Sequence, residues 1–167
     1  MILRGELVAL RPAEAPDLDA FTAIFEAPGI EEWWPGEDRA ALAREALEDD
    51  EVTAWAVLVG DGVAGMIQSY EETDPLYRHA GIDIALHPSW HGRGFGTDAV
   101  RTLARHLIEH DGHHRLVIDP AAANARAIRC YEKVGFRPVG VMRRYERGGD
   151  GTFHDGLLMD LLAGELT

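Results

Sequence analysis

The chain has a single cysteine, Cys130, so no internal disulfide framework holds it together. At 167 residues it needs none. A chain of this length buries about 70% of its unfolded surface in one core, and one domain over residues 1–167 is expected. Long apolar runs are missing as well: none approaches the roughly 20 residues that span a bilayer. The N-terminus lacks a basic start followed by an apolar run and a small-residue cleavage site. These absences predict a cytoplasmic protein with no membrane partner. Positive charge is scarce and sits almost wholly on arginine, with 16 basic residues against 29 acidic ones and a formal net charge of −13. A chain so acidic repels phosphate backbones, which argues against nucleic acid as a partner. It can concentrate a small cation instead, where the acids converge. The only serines are Ser69 and Ser89, and without G-x-S-x-G serine-hydrolase chemistry has no support.

The pattern that is present alternates strands with helices. Residues 2–10 read as a first strand by their alternation, 17–26 as a helix broken by Pro28-Gly29, and 39–48 as a second helix. Strands over 52–59 and 63–70 flank Gly60-Asp61-Gly62, where the Asp-Gly pair signals a hairpin. Glu71-Glu72-Thr73-Asp74-Pro75 reads as an acidic bend. Residues 80–87 alternate strictly, with Ala80, Ile82, Ile84 and Leu86 on one face and Gly81, Asp83, Ala85 and His87 on the other. A wide apolar stripe from Phe95 to Ile108 demands a helix lying on a sheet. A short buried strand at 116–118, a helix at 124–134 and a closing hairpin of 137–146 with 152–162 complete the chain.

Between the alternating strand and the long helix lies His91-Gly92-Arg93-Gly94-Phe95-Gly96-Thr97. Alternating glycines let the backbone approach an anion, and the free N–H groups of the helix start then point at it. The stretch reads as a phosphate cradle. It has no Gly-Lys-Ser/Thr, which excludes a P-loop, and its G-x-G-x-G spacing past mid-chain departs from the dinucleotide fingerprint.

This loop, together with Asn124, Ala127-Ile128 and Tyr131-Glu132-Lys133-Val134-Gly135-Phe136, resembles the GCN5-related N-acetyltransferases. That family's loop reads Gln/Arg-x-x-Gly-x-Gly/Ala. His91 stands at the first position, so the backbone rather than this side chain is expected to carry the phosphate contact. The resemblance implies an α/β (α+β) fold: a single domain whose central sheet is mixed but mostly antiparallel, flanked by helices. One strand pair, 82–86 beside 116–118, is splayed to admit the pantetheine arm of acetyl-CoA. It implies cofactor contacts from Ile84, Leu86, His91, Gly92, Arg93, Gly94, Phe95, Gly96, Thr97, Asn124 and Ala127. Within the superfamily the chain looks similar to aminoglycoside 6′-N-acetyltransferases at Glu32-Trp33-Trp34-Pro35-Gly36-Glu37, at Gln68-Ser69-Tyr70 into Glu72-Thr73-Asp74-Pro75, at Gly81-Ile82-Asp83 and from Asp119-Pro120 onward. That likeness implies Asp83 as the catalytic carboxylate, with Trp34, Glu72 and Asp119 as contacts to the acceptor. The closing hairpin departs most from the family, and Asp150 and Asp155 receive no role from it.

Acetyl transfer to an amine needs a deprotonated amine, donors for the developing oxyanion and a proton for the departing thiolate. The strand edge and glycine loop supply backbone donors. Tyr131 fits the proton donor, since a phenol near 10 can protonate a thiolate whose acid is near 8.5 when the two are closely coupled. For the first need the candidates are Asp83, Glu71, Glu72 and Asp119, with Asp83 first because it lies within the strand at the thioester. The tryptophan pair among acids suits a small cationic amine. Amines of a protein N-terminus or a siderophore precursor, and a sensor that binds acetyl-CoA without turnover, are the alternatives. His106, His110, His113 and His114 lack a motif such as H-E-x-x-H, and no metal is expected. Cys130 reads as a buried thiol, and Arg143, Arg144 and Arg147 as a solvated hairpin face. A monomer or a homodimer is expected, the apolar strand 157–162 being a candidate for pairing across a dimer.

Overall fold

Strands apolar on both faces need helices on both faces, and that requirement sets the architecture. The computed structural model describes residues 1–167. Its elements are β1 (Leu3–Arg4), β2 (Ala9–Pro12), α1 (Leu18–Glu26), α2 (Arg39–Glu48), β3 (Val52–Val59), β4 (Gly62–Glu72), β5 (His79–Leu86), α3 (Phe95–Glu109), β6 (Arg115–Ile118), α4 (Ala125–Glu132), β7 (Arg137–Arg147) and β8 (Phe153–Leu162). The strands form one 8-stranded sheet in the order β1-β2-β3-β4-β5-β6-β8-β7. Every pairing is antiparallel except β5 with β6. The mixed α/β fold is the one expected. No helix is long and apolar enough to cross a membrane.

Alternation along β5 divides the core in two. Ala80, Ile82 and Leu86 pack with Leu103 and Leu107 of α3 and with Tyr131 of α4. Ala85, together with Met66 of β4, packs against Phe21, Ile24 and Phe25 of α1 and Ala43 of α2. Each fully buried phenylalanine or leucine here contributes about 2 kcal/mol of burial free energy. Asp83, in register with Gln68 and in phase with Ala85, therefore belongs to the α1–α2 face.

Several boundaries depart from the sequence reading. The first strand is two short ones, because Asp98 on α3 draws the backbone N–H groups of Glu6, Leu7 and Val8 onto its carboxylate at 3.2, 2.7 and 3.0 Å. Three N–H groups cannot serve one carboxylate and a strand ladder together. The β3–β4 turn is Gly60-Asp61, with Val59 opposite Gly62 and Gly60 at φ +60°, so glycine takes the first central position rather than following the aspartate. Glu71 and Glu72 belong to β4, paired with Ala80 and His79, not to a bend. Strand β8 lies between β6 and β7, so Met159 and Asp160, paired on both sides, have no free edge for a dimer, and Leu161 and Leu162 are paired with β6 alone.

Candidate active site

β5 and β6 pair at Ala80–Leu116 and Gly81–Val117 and then part, β6 ending at Ile118. From Ile82 to Leu86 the edge of β5 that faces away from β4 has no strand beside it. An extended ligand with amide groups can lie there as an added strand. The gap also lets side chains from opposite faces of the sheet meet. Asp83 rises from the α1–α2 face and Tyr131 from α4 on the other. Burial holds the Tyr131 phenol well above its ordinary range, and the neighbouring Cys130 and the charges of Asp83 and Asp119 add to it.

One cleft opens from this gap along the glycine loop, with a volume of about 270 Å³. Gly92 and Gly94 sit at φ +74° and +85°, and Gly94 caps α3. The first helical bond of α3 is from Asp98 N–H to the Gly94 carbonyl, so the N–H groups of Phe95, Gly96 and Thr97 precede the ladder and are available to an anion. A side chain at Gly96 would come within 3.3 Å of Leu86 Cδ1 and 3.7 Å of Cys130 Sγ, so glycine keeps the floor open. Ile84, Leu86, His91, Gly92, Gly94, Phe95, Gly96, Thr97, Asn124 and Ala127 all line this cleft. Asn124 also caps α4, its Oδ1 accepting from Ala127 N–H at 3.2 Å. Arg93 does not line the cleft; its guanidinium lies over the rings of Trp90 and Phe95, at 4.8 and 5.3 Å. The His91 ring is used by the protein: Nε2 donates to the Leu86 carbonyl at 2.9 Å, tying the loop to the end of β5. Burial, with Arg126 next in weight, holds its pKa down and favours the neutral ring.

Sequence reasoning missed the basic side of this cleft. Arg126, Arg129 and Lys133 line it from α4 and the turn that ends it. Their i, i+3, i+7 spacing on one helix face was the available signal. Cys130 lies on the same wall, half-buried, accepting from Thr97 Oγ1 at 3.3 Å. Burial pushes its thiol up, and it is not a ready nucleophile.

A second cleft, of about 310 Å³, is acidic and is lined by Asp83, Asp119 and Glu146. Burial pushes the Asp83 carboxyl up to about 6; Gln68 Nε2, donating at 3.2 Å, opposes the shift, and Asp119 and Glu146 reinforce it. Burial and Asp119 raise Glu146 too. Asp119 also faces Tyr145, whose phenol it pushes up to about 12. Glu146 reaches the cleft because β7 bulges: its register to β8 shifts between Met142 and Glu146, and Arg144 takes φ +48° while donating its N–H to Asp155 at 2.8 Å. A bulge re-aims the residues that follow it. Arg143, Arg144 and Arg147 are exposed, as expected of a solvated hairpin face, while Glu146 between them lines the cleft.

The structure does not bring the other acid candidates together. Glu71 lies on the α3 face, opposite to Asp83, with its carboxylate 3.4 Å from His113 Nε2. Glu72 shares Asp83's face but lies outside the cleft, its carboxylate accepting the Asp74 N–H at 2.9 Å. Trp33 and Trp34 line both clefts, and Trp34 is held by Phe25 at a ring separation of 5.3 Å. Ile84, Asn124 and Tyr131 also line both. The clefts meet at these residues.

The chain is similar to known proteins in sequence and in fold. The sequence model of the acetyltransferase (GNAT) domain matches residues 8–137. An aminoglycoside N(6′)-acetyltransferase type 1 of Klebsiella pneumoniae is 35% identical over 158 residues, covering 83% of this chain and 78% of its own. A kanamycin resistance protein of Rhizobium radiobacter is 45% identical over 73 residues, 43% of this chain and 66% of its own. Among solved structures, Mycobacterium smegmatis RimJ in complex with CoA-disulfide superposes with a TM-score of 0.85 at 24% identity, over 99% of this chain and 88% of its own. AAC(6′)-Ib in complex with paromomycin and acetyl-CoA gives 0.77 at 29% identity, over 96% of this chain and 97% of its own. A glycine-loop cleft running beside a splayed strand pair, in a chain that matches the domain over most of its length, has one reading: the protein is an acyltransferase of the GNAT acetyltransferase family.

Proposed function

We propose that the chain transfers an acetyl group from acetyl-CoA to a primary amine of a small polycation, the 6′-amine of an aminoglycoside being the first candidate. The observation that carries this reading is the convergence of Asp83, Asp119 and Glu146 where the acidic cleft meets the glycine-loop cleft, beside Tyr131. A site for an apolar or anionic acceptor would not gather three carboxylates, with Asp119 adding to the raised pKa of both Asp83 and Glu146. The aminoglycoside acetyltransferases to which the chain is similar support the same reading.

The residues present fit acetyl-CoA. The N–H groups at the start of α3 and the basic side chains Arg126, Arg129 and Lys133 suit its phosphates, and the unpaired edge of β5 suits its amide-containing arm. When bound, acetyl-CoA supplies an activated acetyl thioester. The protein does the rest. Asp119 and Glu146 hold the acceptor's ammonium groups, and the tryptophan pair covers its apolar faces. Asp83, with a carboxyl near 6, is a better base than an ordinary aspartate and takes the ammonium proton. Backbone N–H groups of the β5 edge stabilise the developing oxyanion. The Tyr131 hydroxyl, kept protonated by its raised pKa, hydrogen-bonds to the departing thiolate and passes it a proton only as it is itself reprotonated with the proton that Asp83 took from the ammonium.

Free-thiol release from acetyl-CoA against kanamycin, tobramycin, spermidine, lysine and an N-terminal peptide tests the reading. Turnover confined to the 6′-amino aminoglycosides is the expected result. Preferred turnover of spermidine or the peptide would replace the acceptor.

A further inference from the structure

We propose that His106, His110 and Asp111 form a site for one borderline divalent cation, Zn²⁺ in the first instance, at the C-terminal end of α3. The two histidines lie one helical turn apart, with rings stacked at a centroid separation of 4.7 Å and 21° between planes. One donor atom from each, together with an oxygen of Asp111, all lie within 4.8 Å of one another. The carboxylate faces both rings: Oδ1 is 2.7 Å from His110 Nδ1 and Oδ2 is 3.6 Å from His106 Nε2. Donors around a tetrahedral zinc at about 2.0–2.1 Å stand about 3.3 Å apart. Small side-chain movements convert one arrangement into the other. His110 is free to make them, since its side chain is 65% exposed.

The backbone behind these groups is fixed. His110 and Asp111 N–H both bond to the His106 carbonyl, at 2.9 and 3.2 Å. The Arg78 guanidinium donates to the Asp111 and Gly112 carbonyls at 2.8 and 3.0 Å. His106 is braced edge-on by Trp55 at 6.4 Å. The end of a helix also favours a cation through its dipole. The nearby His113 is buried and faces Glu71, its Nε2 3.4 Å from that carboxylate without a hydrogen bond. Two imidazoles and one carboxylate select zinc, copper or nickel over magnesium and calcium, and leave a fourth position for water.

The site is separate from acetyl transfer. His106, the cluster's first residue along α3 (Phe95–Glu109), lies three turns past the helix start, so about 16 Å of helix separates it from the glycine loop. A cation there would pin the turn of residues 110–114 that leads α3 into β6. The bland alternative is an ion-paired carboxylate between two histidines that binds nothing, and calorimetric titration with Zn²⁺ separates the two. The expected result is saturable binding of one equivalent with a rise in Tm, and no comparable binding of Mg²⁺ or Ca²⁺. His110→Gln and Asp111→Asn each weaken it roughly tenfold or more. The metal-free Tm of each variant checks that it folds. His154→Gln, at the other exposed His–Asp pair, leaves binding unchanged. Absence of saturable binding, survival of full affinity in both cluster variants, or loss of it in His154→Gln would overturn the site.

Discussion

Asp83 concentrates the conflict between stability and function in one side chain. Its folded pKa is about 6 against an ordinary 3.8, so the folded protein binds this proton more tightly than the unfolded chain does. Stability is therefore lost as pH rises from about 3.8 to about 6, and the ionised form that remains above that range is the one the proposed mechanism uses as its base. Asp83→Asn is expected to raise Tm at neutral pH, with the gain shrinking as the pH is lowered below the folded pKa. The same change should lower kcat about 10²-fold or more while acetyl-CoA binding is kept, measured by steady-state kinetics and calorimetry. In the wild type, kcat/KM should climb with pH through an apparent pKa of about 6 and then level. Tyr131→Phe should also lower kcat, by roughly 10² or more, without that acid limb moving. An unchanged kcat in Tyr131→Phe would assign the tyrosine to packing against Phe136, which its ring meets at 6.4 Å.

At the level of elements, the glycine turn and the β7 bulge do opposite jobs. Gly94 holds φ +85° at the start of α3, so Gly94→Ala forces a β-carbon into the left-handed region and should cost about 1 kcal/mol of stability. It should also raise the KM for acetyl-CoA more than that for the acceptor. Glu146→Gln should do the reverse, raising the acceptor KM with acetyl-CoA KM unchanged, because Glu146 lines only the acidic cleft. These elements differ in how far the sequence reveals them. Local patterns carried α2, β3, α3 and β5 to within a residue or so, since each is set by its own periodicity. The split of the first strand was not legible, because it depends on Asp98, some ninety positions away in the chain. Glu146 was hidden for a similar reason: a bulge is a property of the pairing between two strands, not of either strand alone. Asp111 was not legible as a partner of the histidines, because it lies beyond the helix end and outside any histidine-glutamate motif within one helix.

Across the whole molecule, the formal net charge of −13 becomes directional at the acidic cleft. Added salt should raise the acceptor KM by screening, while the opposite wall of the active site, with Arg126, Arg129 and Lys133, makes the acetyl-CoA KM rise as well. In the proposed function the two substrates meet surfaces of opposite sign across a gap that the sheet itself provides. The most direct measurement compares neomycin with paromomycin, which differ in carrying an amine or a hydroxyl at the 6′ position, in the thiol-release assay with wild type and Asp83→Asn. The account predicts fast turnover of neomycin by the wild type, at least about 10²-fold less with paromomycin, and the same loss for neomycin in the variant. Equal turnover of the two aminoglycosides, or full activity in Asp83→Asn, would contradict it.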